Sequence, residues 1–454
     1  MNQDDATTPV LPPCSHVPQA YDGPSRDDVL ATREQFLSPS LLTYYQDPVM
    51  IVEGSMQWLF DETGRRYLDF FGGIVTVSVG HCHPRVVEKV REQVERLQHT
   101  TTIYLHPTIA EFGRKLASTF PAGSGLEVCY FTSSGSEANE LAMLMARLYS
   151  GNHGLIALRN AYHGMTNQAM GLCGLHSWKQ PVPQDGGIHH ASMPDRLRGH
   201  HGYDDPNAGE KYAADVVDLI HQGTTGNIAG FIAEPIQGVG GTVELPDGFL
   251  PRVYDAVREA GGLCISDEVQ TGFGRTGTSF WGFENHGVVP DIVTMAKGIG
   301  NGAPLACCVT RSEIAQSMTS RLHFNTYGGN PVSMAAGLAT LEVMQEENLQ
   351  KRCLEIGGYL RDGLNSLMES HDIVGDVRGQ GLMLGLEFVE DRNTLAPNAA
   401  ATAQVHEAAK AHGLLLGKGG LHGNVLRIKP PMCITREDCD FAIDVLDRAI
   451  AGVS

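Results

Sequence analysis

The chain has 454 residues, 42% of them hydrophobic, and a formal net charge of −19 at pH 7. This length exceeds one typical hydrophobic core and favours two lobes. The acidic balance removes the electrostatic basis for binding nucleic acid or an anionic membrane surface, and no apolar run approaches the roughly 20 residues that cross a bilayer.

Residues 1–28 are rich in Pro, Asp and Ser and predict a flexible N-terminal arm. They have neither the basic start and apolar core of a signal peptide nor the arginine-rich pattern of a transit peptide. The ten cysteines are scattered, with no Cys-x-x-Cys pair, which favours a reducing compartment over a disulfide framework or a zinc site. We therefore predict a cytoplasmic protein.

The first regular elements follow the arm. Residues 49–71 alternate apolar and polar side chains around a turn at 61–64, which predicts a β-hairpin. Pro84 then opens an amphipathic helix, because apolar residues recur after it at helical spacing with charges between them.

Buried strands alternate with helical segments in the middle of the chain. The strand-like runs are 128–131, 155–158, 231–233, 263–265 and 292–295. Such alternation predicts an α/β fold with a mostly parallel sheet flanked by helices. Beyond about residue 340 a strand-like stretch at 374–388 and a last helix opened by Thr435 predict a smaller α+β lobe.

Small residues follow the first of these strands. The segment 132–139 reads Thr-Ser-Ser-Gly-Ser-Glu-Ala-Asn and opens an apolar helix, so that backbone N–H groups and the helix dipole can close around a phosphate. A serine-rich helix cap is the alternative. After the next strand, Tyr162 can stack on a flat ring or simply pack in the core.

Two histidine pairs, His189–His190 and His200–His201, lie in the stretch 183–210, which predicts a long surface loop. Adjacent histidines rarely converge on one ion without a third ligand. We therefore predict no metal site.

Two charged residues end apolar runs further on. Asp267 ends the run at 263–265, and Lys297 stands between the run at 292–295 and a glycine-rich turn. Pyridoxal 5'-phosphate (PLP) requires this pair, because a lysine forms the imine and an aspartate keeps the pyridine nitrogen protonated. A nicotinamide enzyme is set aside, since no Gly-x-Gly-x-x-Gly follows a first strand.

From about residue 40 to the C-terminus these segments, in this order, resemble the class III PLP-dependent aminotransferases of fold type I. The resemblance implies a large PLP-binding domain at 76–338 and a small domain at 339–454. The N-terminal segment 29–75 would belong to the small domain. The resemblance further implies a homodimer with shared active sites, or a larger assembly of such dimers.

The resemblance also implies roles for individual residues. Gly135 and Ser136 would contact the phosphate, Tyr162 would stack on the ring with His163 beside it, and Val269 would lie under the ring. Asp267 would bind the ring nitrogen, Gln270 the phenolic oxygen and Lys297 the aldehyde carbon, while Thr326 would reach the partner's phosphate. For the substrate, Arg427 would bind the carboxylate, and Glu234 would pair with an arginine when no carboxylate is bound.

Two departures from the family bear on the substrate. Met165 stands where members that use 2-oxoglutarate often carry an arginine. Ile74 stands near the position at which ornithine-type members carry a tyrosine. Both changes favour small monocarboxylic partners. We predict transfer from alanine or a small, α- or β-, amino acid to glyoxylate or pyruvate. An omega-amino acid or β-aminoisobutyrate–pyruvate aminotransferase and a PLP-dependent lyase of phosphorylated amino alcohols are the alternatives, and a non-catalytic PLP-binding protein is disfavoured by Lys297 and Asp267.

Overall fold

The computed structural model describes residues 9–453. Its N-terminal segment contains the elements α1 (Arg26–Phe36), β1 (Ile51–Ser55), β2 (Trp58–Asp61) and β3 (Arg66–Asp69). Strands β2 and β3 pair antiparallel, and Asp61 accepts hydrogen bonds from the backbone N–H groups of Thr63 and Arg65 within the turn between them. The predicted hairpin is confirmed.

Residues 1–8 of the predicted arm lie outside the described residues. Residues 9–25 have no helix or strand, yet they contact the rest of the protein. Leu11 packs against the main hydrophobic core, Arg66 donates a hydrogen bond to the carbonyl oxygen of Pro12, and His16 pairs with Glu53 at 2.5 Å. The limits of the arm stay a prediction.

Helices and strands alternate through the middle of the chain. The helices are α2 (Gly72–Val75), α3 (Pro84–Arg96), α4 (Pro107–Ala117), α5 (Gly135–Ser150), α6 (Asn167–Leu172), α7 (Ala208–Gly223), α8 (Phe249–Glu259), α9 (Ser312–Gln316) and α10 (Pro331–Glu346). The strands are β4 (Val128–Thr132), β5 (Leu155–Leu158), β6 (Ile188–Ala191), β7 (Gly230–Ala233), β8 (Ile236–Gln237), β9 (Val243–Glu244), β10 (Leu263–Asp267), β11 (Ile292–Met295) and β12 (Ala306–Thr310).

Seven of these strands form one sheet in the order β4-β12-β11-β10-β7-β5-β6. Only β12 runs against its neighbours, since β11 and β4 both pair with it antiparallel and the other pairs are parallel. The central strands are buried along their whole length, as expected for a sheet covered by helices on both faces. The predicted α/β fold is confirmed.

The prediction of a surface loop at 183–210 is wrong for part of its length. Residues 188–191 form β6, the edge strand that pairs with β5. The short apolar–polar stretch Ile-His-His-Ala carries too little periodicity to reveal a strand.

The histidines of this strand were considered above as metal ligands. Burial lowers the pKa of His190 to about 4. Among residues 9–453 no group of three His, Cys, Asp or Glu side chains is placed to hold a metal ion.

The C-terminal part contains α11 (Leu349–Ser370), β13 (Val374–Gln380), β14 (Met383–Phe388), α12 (Ala399–Ala411), β15 (Leu414–Leu415), β16 (Gly417–Gly419), β17 (Val425–Ile428) and α13 (Arg436–Ala451). An antiparallel sheet has the strand order β13-β14-β17-β16. Strand β15 pairs with β3 of the N-terminal segment, so the two ends of the chain share a sheet. The domain boundaries stay a prediction.

The two helix starts predicted from sequence are confirmed. Pro84 occupies the first turn of α3, where its missing N–H leaves no hydrogen bond unmade. Thr435 caps α13 and exchanges hydrogen bonds with Asp438 as a capping box. No helix within the described residues is long and apolar enough to cross a membrane.

Candidate active site

The predicted lysine and aspartate meet at the carboxyl ends of two neighbouring parallel strands. Asp267 is the last residue of β10 and lies in register with Thr294 of β11, and Lys297 follows β11 after one residue. Both residues line a cavity of about 150 Å³. The other residues of its wall are Gly135, Ser136, Asn139, Tyr162, His163, Gly164, Glu234, Val269, Gln270 and Ala296.

The N-terminus of α5 forms one side of this cavity. Ser134 caps the helix by accepting a hydrogen bond from the backbone N–H of Glu137, so the N–H groups of Gly135 and Ser136 belong to an open helix end with a positive dipole. A Cβ on Gly164 would lie 2.4 Å from Ser136 Oγ. Position 164 therefore requires glycine. The open start of α5 makes this end of the cavity suitable for a phosphate group.

Asp267 is held in place by two donors. His163 Nδ1 lies 2.7 Å from Asp267 Oδ2, and Asn139 Nδ2 donates to the same oxygen at 2.9 Å. Thr294 donates to the side-chain oxygen of Asn139, which orients the amide. Because Asp267 and His163 are almost completely buried, this carboxylate keeps one position at the cavity wall.

Lys297 is partly exposed to the cavity and otherwise enclosed by protein. This burial lowers its pKa to about 8; the charges of Asp267 and Glu234 raise the pKa, and that of Arg427 lowers it further. A lysine with a pKa near neutrality is partly uncharged at physiological pH. An uncharged lysine amine is nucleophilic, so this environment suits the predicted role of Lys297 toward a carbonyl carbon.

The pH dependence of covalent PLP uptake by the apoprotein tests this pKa. Only the neutral amine attacks, so the uptake rate should rise with pH and level off above the pKa of about 8. Stopped-flow absorbance from about pH 6 to 10 measures it, with free N-acetyl-lysine as the control, whose ordinary pKa of about 10.4 gives no plateau there. A rate that keeps rising to pH 10 would contradict the assignment.

Glu234 lies beside these groups and is also buried. Burial raises its pKa, although the charge of His163 and hydrogen bonds from the backbone N–H groups of Gly238 and Tyr162 act in the opposite direction. Both of its oxygens are occupied by those backbone groups, at 2.8 and 3.1 Å. Within residues 9–453 Glu234 forms no ion pair with an arginine, and its oxygens accept from backbone N–H groups instead.

Arg427 lies outside the residues that line the cavity. Its Nε donates to the carbonyl oxygen of Lys418 at 3.2 Å, and its guanidinium stands 5.4 Å from the centroid of the Phe71 ring. Tyr44 also stacks on the Phe71 ring, with 5.5 Å between the ring centroids. Nη1 of Arg427 is buried and has no hydrogen-bond partner among residues 9–453, which fits a site for a substrate carboxylate.

Three further predicted residues do not line the cavity. Met165 and Ile74 are 39% and 45% exposed; Met165 N–H donates to Ser136 Oγ, and Ile74 lies in α2, where all four residues have positive φ. Thr326 is exposed. Its neighbour Asn325 donates to Glu137 at the start of α5, so Thr326 stands near the phosphate end.

Sequence reasoning missed two polar residues of this site. Asn139 entered only as the last residue of the segment 132–139, and Lys429 was not singled out at all. Lys429 is completely buried, and its Nζ donates to Gln270 Oε1 at 3.0 Å. An isolated lysine after a strand normally ends in water, so only the unusual pattern of a lysine followed by two prolines could have drawn attention to it.

The cavity residues fit PLP. Lys297 supplies an amine with a lowered pKa for the aldehyde, Asp267 a fixed carboxylate for the ring nitrogen, and the start of α5 a place for the phosphate. The fold and this site define a PLP-dependent enzyme of fold type I.

The chain belongs to the class III aminotransferases, whose family model matches residues 43–450. It is 54% identical to "Alanine–glyoxylate aminotransferase 2 homolog 2, mitochondrial" of Arabidopsis thaliana, over 97% of this chain and 91% of the relative. It is 46% identical to "Alanine–glyoxylate aminotransferase 2, mitochondrial" of Homo sapiens, over 98% and 90%. Both relatives are mitochondrial by name, which contradicts the predicted cytoplasmic location.

Solved structures agree with the fold. A phospholyase from Arthrobacter in complex with phosphoethanolamine is 35% identical, with a TM-score of 0.87 over 94% of this chain and 100% of that chain. An (S)-enantioselective omega-transaminase from Thermomicrobium roseum is 33% identical, with a TM-score of 0.87 over 95% and 100%. The chain is thus a PLP-dependent transaminase by family, on a scaffold that also serves a lyase.

Proposed function

We propose that the enzyme transfers the amino group of alanine, or of another small α- or β-amino acid, to glyoxylate or pyruvate. The observation that carries the proposal is the unpartnered Nη1 of Arg427, whose charge acts directly on the pKa of Lys297. It offers one carboxylate site within reach of the reactive amine. The names of relatives at 46% and 54% identity support the choice of alanine and glyoxylate.

Bound PLP supplies an electron sink that stabilises negative charge on the substrate carbon next to the amino group. Lys297 would hold the cofactor and, once the substrate amine has taken its place, carry a proton between that carbon and the C4' carbon of the cofactor. A pKa of about 8 suits both directions of this transfer, because neither protonation state is strongly favoured near neutral pH.

Other residues of the chain position the reacting groups. Asp267, fixed by His163 and Asn139, would hold the proton on the ring nitrogen. Val269 and Tyr162 would enclose the ring from its two faces. His163, Glu234 and Asp267 are buried in this wall, and the low polarity around them strengthens their electrostatic interactions.

Half-reactions test the proposed function. Alanine alone should yield one pyruvate per active site and then stop, and added glyoxylate should make the reaction catalytic. The phosphoethanolamine-bound structure favours a second function, a lyase that releases ammonia and phosphate from a phosphorylated amino alcohol. Continuous release of ammonia and phosphate from phosphoethanolamine without any oxo acid would establish the lyase and overturn our proposal.

A separate prediction concerns the acceptor. Met165 cannot pair with the second carboxylate of 2-oxoglutarate, so the enzyme should prefer glyoxylate or pyruvate by at least about tenfold in kcat/KM, the minimum expected for a missing charged contact. Met165→Arg should narrow this gap, while Leu421→Arg, at another exposed apolar residue, should not. Competition between the oxo acids measures the ratio, and 2-oxoglutarate as the best acceptor would contradict the prediction.

We also infer a homodimer. Two neighbouring segments expose large apolar side chains: Ile103, Tyr104, Leu105, Leu322, Phe324 and Tyr327. His99 and Tyr327 join the segments through a ring contact at 5.4 Å. Such a patch is typical of a protein interface, and Thr326 lies within it, which supports its predicted role toward the partner's phosphate.

A further inference from the structure

Lys429 has an unusual environment for a lysine. It directly follows β17, its side chain is completely buried, and its backbone N–H donates to the carbonyl oxygen of Phe70. Within residues 9–453 no carboxylate forms an ion pair with it. Burial of an amine without a counter-charge is unfavourable, so its presence calls for a role.

The amine of Lys429 contacts the amide of Gln270. Nζ donates to Gln270 Oε1 at 3.0 Å and to the carbonyl oxygen of Gly238 at 3.4 Å. Gly238 lies directly against the same amide, since a Cβ there would lie 2.3 Å from Gln270 Nε2 and 2.4 Å from Gln270 Oε1. The amide is thus contacted by the Lys429 donor and packed against a glycine.

The orientation of the amide has a chemical consequence. Lys429 donates to the side-chain oxygen of Gln270, so the side-chain nitrogen of Gln270 is the group left to bind a ligand. No described residue accepts a hydrogen bond from this nitrogen. Gln270 also lines the cavity with Lys297 and Asp267. An N–H donor facing the cavity suits an oxygen acceptor such as the phenolic oxygen of the pyridoxal ring.

We propose that Lys429 is a positioning residue that fixes Gln270 with its amide nitrogen toward the cofactor's phenolic oxygen. This inference rests on the proposed role of Gln270. Burial holds the pKa of Lys429 well below its usual range; the charges of Arg427 and Lys297 lower it further, and that of Glu234 raises it.

A double-mutant cycle tests the proposal with Lys429→Met, Gln270→Ala and the double variant. Lys429→Met keeps the unbranched stem of the side chain up to the Cε position but has no donor. PLP should therefore bind the apoprotein about tenfold more weakly, which corresponds to the loss of one oriented hydrogen bond. The double variant should bind PLP no more weakly than Gln270→Ala alone. If the two losses multiply, Lys429 acts independently of Gln270 and the proposal is wrong.

The absorption spectrum of the bound cofactor gives a second readout. A donor to the phenolic oxygen favours its deprotonated form, so the pKa read from the visible band should rise in Lys429→Met. A purely structural lysine would instead lower the melting temperature and leave both the band and PLP affinity unchanged, which would also overturn the proposal. Lys429→Leu, likewise without a donor, serves if the methionine variant does not fold.

Two controls separate the possible failures. Lys410→Met removes another largely enclosed lysine, 13% exposed and bonded to Asp47 and Glu407, and should leave PLP affinity unchanged. If wild-type protein binds no PLP, the proposed function fails. If wild type binds PLP and Lys429→Met binds it equally well with an unchanged band, only the positioning role fails.

Discussion

Lys297→Ala should lose at least about 10³-fold in transamination rate, the largest effect expected for any single substitution in this site. The variant removes both the amine that attaches PLP and the group that moves the proton at the substrate carbon. The phosphate site at the start of α5 and the carboxylate of Asp267 remain. PLP should therefore still bind, but without the absorption band of a covalent attachment.

Lys115→Ala is the matched control for this variant. Lys115 is partly buried and pairs with Glu342 at 2.8 Å, and neither residue lines the cavity. Its loss should leave the rate within about twofold, since surface ion pairs contribute little. Steady-state rates with alanine and glyoxylate measure both variants. A rate in Lys297→Ala close to that of the control would reject Lys297 as the catalytic amine.

The positions of Asp267 and Lys297 in the fold could be predicted because they depend on local pattern. Asp267 and Lys297 each follow a buried strand, and parallel strands bring their carboxyl ends to one edge of the sheet. The same logic located the start of α5, where small residues precede an apolar helix. For these elements the signal lies within a few residues of the functional group.

The contacts that orient the site could not be predicted in this way. Lys429 meets Gln270 across 159 positions of the chain, and Asn139 meets Asp267 across 128; no local pattern links such partners. Glu234 shows the same limit, because its backbone partners depend on how the turn at Gly238 folds. The edge strand β6 was missed for another reason, since its four residues are too short for a periodicity.

Charge also differs between the chain and its site. The protein as a whole is strongly acidic, yet the charges of Arg427, Lys297 and Arg275 all lower the pKa of Lys429, while that of Glu234 raises it. The carboxylates of Glu234 and Asp267 line the same cavity as Lys297 and balance part of this positive charge. The cation of Arg427 can still attract a small carboxylate locally, although the protein as a whole is acidic.

Asp267→Asn should lower kcat/KM by about 10²-fold, equivalent to ~2.7 kcal/mol of transition-state stabilisation. The amide has the size of the carboxylate but no charge, so the ring nitrogen loses the partner that keeps it protonated. His163 and Asn139 would also face a weaker acceptor, which should cost about 1–3 kcal/mol in the free energy of unfolding. Kinetics and thermal melting must therefore be measured together.

Glu268→Gln separates catalysis from stability. Glu268 is equally buried and adjacent to Asp267, and it accepts hydrogen bonds from Ser266, Thr271 and two backbone N–H groups, but it does not line the cavity. The Glu268→Gln variant should lower the free energy of unfolding by about as much as Asp267→Asn does. The value of kcat/KM for the folded variant should nevertheless stay within about threefold of the wild-type value. If both variants lose activity only in proportion to their stability, Asp267 is a structural carboxylate and the proton on the ring nitrogen must be held by another group.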